Sequence, residues 1–102
     1  MAREIVTYVP VVNGKDSGHF RSFKNAFFDF VGRTEKLRDQ GAALSLECRS
    51  TQAPTMTLDF ERVYALGEKT HLLKDGKVNF AAPEPSETMV NDAFAHAADK
   101  AA

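Results

Sequence analysis

Tryptophan is absent from this 102-residue chain, and cysteine occurs only once. Eight of its ten aromatic residues are phenylalanine, so its aromatic mass has few polar handles and suits core filling better than hydrogen-bonded recognition. The lone Cys48 excludes an intrachain disulfide and a cysteine-built zinc site, and it favours a reducing, cytoplasmic compartment. No apolar run approaches the roughly 20 residues needed to cross a bilayer. Met1-Ala2-Arg3-Glu4 lacks the apolar stretch of a signal peptide, so no membrane partner is expected.

Excess charge of either sign is also missing. The net charge of −1 supplies no global field toward nucleic acid or an anionic surface. Its distribution is less even: residues 1–51 carry eight Lys/Arg against six Asp/Glu, and residues 52–102 carry five against eight. A composition 43% hydrophobic and 26% charged excludes wholesale disorder, and the length suits one domain over 1–102.

Residues 4–12 are rich in β-branched types and predict a strand, with Pro10 marking an edge or an end. Asn13-Gly14 is a favoured hairpin turn. Residues 19–23 then continue either as the returning strand or as the start of a helix. Over 22–40 the pattern is helical. Phe23, Phe27, Phe30, Thr34 and Leu37 share one stripe, Ser22 can cap the start, and Gly41 follows the last turn.

After Gly41 the period becomes 2, with Leu44, Leu46 and Cys48 on one face of a strand. Met56, Leu58 and Phe60 predict the next strand, which continues through Val63 and Ala65 after a bulge near Glu61-Arg62, until Gly67-Glu68 breaks it. Asp75-Gly76 joins strands at 70–74 and 77–81 as a hairpin. Ser86 caps a final helix whose apolar stripe is Met89, Val90, Ala93, Phe94 and Ala97, and the 97–102 tail is expected to fray. The expected fold is therefore α+β in the order β-α-β-β-β-β-α. Its sheet has four or five mostly antiparallel strands, with two helices on one face.

Candidate chemistry is sparse. The loop Gly14-Lys15-Asp16-Ser17-Gly18 lies where a phosphate loop would, but its lysine follows the wrong glycine, so it is a polar turn. His19, His71 and His96 fall on different elements without metal-ligand spacing, and His96 is placed to pair with Asp92 one helical turn earlier. Cys48 belongs to a buried strand face and behaves as a small hydrophobe. No enzyme activity, cofactor or metal is expected.

Two features point toward binding. Phe28 falls about 130° from the centre of the first helix's apolar stripe, on the wet face, with Gly32 one turn on. Gly32 costs about 1 kcal/mol relative to alanine, which close approach of another element would offset. Phe28, Gly32, Lys24 and Glu35 form the expected contact of a protein-interaction module, an accessory, inhibitory or regulatory protein whose partner is another protein or a second copy. The alternative is a nucleic-acid-binding protein that uses Arg21, Lys24, Arg33, Lys36 and Arg38 around the aromatic run at 19–24.

Overall fold

The structure is a computed structural model that describes residues 4–101, apart from the side chains of Arg38 and residues 97–101. The β-branched run forms β1, Val6–Val12, and Asn13-Gly14 turns it into β2, Lys15–Asp16. The turn residues have φ of 52° and 82°, the left-handed pair that a two-residue hairpin requires. Residues 19–23 satisfy both readings in part. Phe20 makes an isolated antiparallel bridge with Tyr8, and α1 then runs Phe23–Leu37, followed by a 3₁₀ turn at Arg38–Gln40.

Gly41, at φ 74°, releases the chain into β3, Leu44–Ser50, and β4 follows at Met56–Asp59. The four strands lie in the order β2-β1-β3-β4, and every pairing is antiparallel. The α+β domain and the antiparallel sheet are as expected from the pattern. Because the hairpin reverses the chain first, β2 and β3 run parallel on either side of β1, and α1 crosses between them.

The chain departs from expectation at Asp59. No bulge is present; the strand stops, and α2 occupies Phe60–Lys69. The Asp59 carboxylate accepts the Arg62 N–H at 2.9 Å, an N-cap that satisfies one of the helix's free amides. The apparent slip of phase is thus a change of period from 2 to 3.6, which buries Val63, Leu66 and Gly67 together. Gly67 is no breaker. A Cβ built there would stand 2.3 Å from Phe27 Cζ, so this glycine lets α2 lie against the α1 ring.

The Asp75-Gly76 hairpin forms, with φ of 54° and 77°. Its strands, β5 at Leu73–Lys74 and β6 at Lys77–Val78, are shorter than expected and make a separate two-stranded sheet. The last helix, α3, spans Glu87–Ala101, and Ser86 Oγ accepts the Met89 N–H at 3.2 Å. Val90 and Phe94 of its stripe are buried, whereas Met89 is exposed. Ala97 and the expectation of a fraying tail lie outside the described side chains.

Three helices, not two, pack on the sheet face that carries Tyr8, Leu46, Cys48 and Leu58. Tyr8 anchors both ends of that layer, with its ring 5.6 Å from Phe23 and 6.2 Å from Phe94. On the opposite face Arg49 forms two 2.7 Å hydrogen bonds to the Asp16 carboxylate. By register this bridge crosses β1 over Val9, which has 0% exposure. The Arg49 hydrogen bonds hold the Asp16 carboxyl below its usual range. The bridge therefore persists above the ordinary carboxylate pKa and is lost only as pH falls below that range.

Two glycine substitutions have opposite expected signs. Gly32 has nothing within 4 Å of a built Cβ, so Gly32→Ala should stabilise by about 1 kcal/mol through helix propensity. Gly67→Ala gains the same term but forces overlap with Phe27, and overpacking costs about 1–3 kcal/mol, so it should destabilise on balance. Denaturant unfolding of both variants checks the pair; equal shifts would contradict the close approach at Gly67.

Candidate functional site

Among the described residues the most exposed large hydrophobic side chain is Phe80, at 69%. It belongs to the segment 79–85, which leaves the β5–β6 hairpin and crosses the amino-terminal half of α1. There its ring centroid lies 4.7 Å from that of Phe28. Phe28 is consequently half-buried and packs at the margin of the core cluster. The expectation of an exposed Phe28 is corrected on this point: its helical angle does face outward, but a segment distant in sequence covers it.

Lys24 and Glu84 hold the crossing segment in place. Lys24 Nζ donates to the Phe80 carbonyl at 3.1 Å and also to the Ala82 carbonyl. The same ammonium stands 5.9 Å from the Phe28 ring centroid, within reach of a cation–π attraction. Helix α1 has no acidic residue in its first turn, and Glu84 supplies one from elsewhere. Its carboxylate accepts the Ser22 hydroxyl and, at 3.0 Å, the Lys24 backbone N–H. A carboxylate at a helix amino terminus meets both unsatisfied amides and the positive end of the dipole. Ser22 Oγ in turn accepts the Asn25 N–H at 3.2 Å.

Beside this aromatic pair, Gly32 opens a depression of about 510 Å³ lined by Phe28, Asp29, Arg33, Lys36 and Leu37. An exposed ring next to a hollow gives the surface relief that a partner can grip. Of the four residues expected at the contact, Phe28 and Gly32 line the hollow and Glu35 is exposed beyond it. Lys24 instead holds segment 79–85. Phe80 had no signal in its own neighbourhood; its pairing with Phe28 exists only once the chain has folded.

The five basic residues are dispersed in their tasks. Arg33 binds Asp29 at 2.8 Å and the Ser17 carbonyl at 2.9 Å, and Lys24 is committed as described. Arg21 and Lys36 are exposed, and the Arg38 side chain lies outside the described residues.

The remaining titratable groups are separated. His19 Nε2 is 3.5 Å from Asp16, and His71 turns the chain after α2 with φ 65°. His96 and Asp92 line a groove of about 600 Å³ between α2 and α3, with Leu58, Ala65 and Leu66 on its apolar side. They form no ion pair with each other among the described residues. No group of three or more His, Cys, Asp or Glu that could hold a metal occurs among the described residues. Cys48 is buried on the inner sheet face, and burial pushes its thiol pKa up, which suppresses the nucleophilic thiolate.

No family model, curated protein or solved structure matches the chain.

Lys24→Met keeps the methylene stem but removes the ammonium that binds two carbonyls. It should destabilise by about 1–2 kcal/mol, the low end for hydrogen bonds to a charged donor that is partly exposed. It should also speed amide exchange at Ala82. Unchanged stability would show that Lys24 is not the clamp.

Proposed function

We propose that this protein is a non-enzymatic interaction module. It binds another macromolecule, a protein or a second copy of itself, through the outer face of α1 and the crossing segment 79–85. The observation that carries the reading is Phe80, more than two-thirds exposed at 69% yet packed at a tilt of 58° against a half-buried partner. Leaving a large apolar ring in water forgoes its transfer energy, and a folded monomer gains nothing from Phe80's outer surface. Aromatic residues, phenylalanine among them, are enriched in the buried cores of protein interfaces.

Phe28 and Gly32 provide the supporting floor and the adjoining hollow, and Glu35 stands as a rim charge that orients a partner. An accessory, inhibitory or regulatory role fits a chain whose chemistry-bearing side chains are dispersed, because such a protein acts by occupying another surface.

Phe80→Asp tests the reading. It should cost no more than about 1 kcal/mol of stability, the worth of one partly exposed aromatic contact. It should weaken partner capture by at least about thirtyfold, the loss typical of a hot spot. Gly32→Gln, which fills the hollow without touching the core, should weaken capture as well. The measurement is affinity capture from native lysate with nuclease present, followed by titration against the recovered partner. Capture that survives both substitutions, or that collapses on nuclease treatment, would overturn the proposal.

A further inference from the structure

Beside Glu84 the chain forms a third and smaller hollow. It has a volume of about 230 Å³, with Tyr8, Phe23, Glu84, Pro85, Glu87 and Val90 among its lining residues. This is below the roughly 300–1,000 Å³ of sites for drug-sized ligands, so it suits a single long side chain.

Its floor contains an unexplained polar group. Tyr8 is only 5% exposed, and a tyrosine this buried ordinarily has a partner for its hydroxyl. Among the described residues none donates to or accepts from it, although its backbone and its ring are fully engaged. No fully buried side-chain polar atom in the described residues lacks a partner, so the hydroxyl is not sealed from solvent, and Tyr8 lines the cleft.

The carboxylates above the floor have different tasks. Both oxygens of Glu84 are already used at the start of α1. Glu87, in the first turn of α3, makes no hydrogen bond or ion pair among the described residues. The cleft thus offers one unused carboxylate and one unused phenol oxygen, while Phe23, Pro85 and Val90 form apolar walls. Exposed Arg21 stands at the rim, leaving the lining at a net charge of −1.

From this geometry we infer that the Tyr8–Glu87 cleft is a receptor for the side chain of a lysine or arginine presented by a partner protein. The methylene stem lies between Pro85 and Val90, and the cationic head donates to the Glu87 carboxylate and the Tyr8 hydroxyl oxygen. Apolar walls with an acidic end match the two-part chemistry of such a side chain. Burial and the nearby Cys48, Glu87 and Glu84 push the Tyr8 pKa up to about 12. The phenol therefore stays neutral at physiological pH, and its proton remains available to a carboxylate. This inference stands apart from the Phe28–Phe80 reading, and either can fail alone.

The test is a ¹⁵N-resolved NMR titration of the intact protein with Nα-acetyl-lysine N′-methylamide and its arginine counterpart. The norleucine and glutamate analogues are controls. The expected result is saturable shifts at Tyr8, Glu87 and Val90 with a dissociation constant on the order of millimolar, and no saturation by either control. Glu87→Gln should weaken binding at least about fivefold and Tyr8→Phe about threefold, the net worth of an ordinary hydrogen bond at a solvent-accessible site. Both variants alter groups without internal partners, and their own spectra report whether they are folded. The proposal is overturned if neither cationic probe saturates by about 50 mM. Equal binding of norleucine, binding of glutamate at these residues, or indifference to Glu87→Gln would overturn it too.

Discussion

The seating of Phe27 on Gly67 is the contact around which the helical layer is arranged. Phe27 is fully buried in the middle of α1, and its ring occupies the space where a side chain on α2 would otherwise project. Any larger residue at 67 would push α2 away from α1, and α2 must stay close for Val63 and Leu66 to reach the same core. Interiors pack at nearly crystalline density, so a displacement there is felt by every neighbour. Tyr8 plays the matching part on the sheet, where one ring meets both Phe23 of α1 and Phe94 of α3.

With that layer in place, the segment between the β5–β6 hairpin and α3 must cross α1 to reach its own helix. The crossing is held electrostatically: Lys24 binds carbonyls of the segment, and Glu84 of the segment caps the helix. The two contacts are reciprocal, one ammonium serving the loop and one carboxylate serving the helix. Their consequence is a surface with two distinct reliefs, the Phe28–Phe80 pair and the Tyr8–Glu87 cleft. The two proposed surfaces thus share a scaffold joined by charged groups placed far apart in the chain.

Much of this was legible beforehand. The strands at 6–12 and 44–50, the helix at 23–37, both two-residue hairpin turns and the Ser86 cap follow from local pattern and turn chemistry. Helix α2 is hidden in the local pattern. Phe60 continues the alternation of Met56 and Leu58 by accident of spacing, and Asp59 and Gly67 each admit two meanings. An aspartate ends a strand or caps a helix, and a glycine breaks an element or permits close packing, and tertiary context selects between them.

The amino-acid sequence by itself determined where the chain turns, which faces are apolar, and that Phe28 points away from the main stripe of α1. These are local consequences of backbone geometry and side-chain period, which require no distant partner. Only the tertiary structure decided that Phe80 covers Phe28, that Lys24 is a clamp and that Tyr8 and Glu87 line one cleft. Each of those joins residues separated by more than fifty positions, and no period or motif encodes which distant groups will meet. That is set by the packing of all the elements at once.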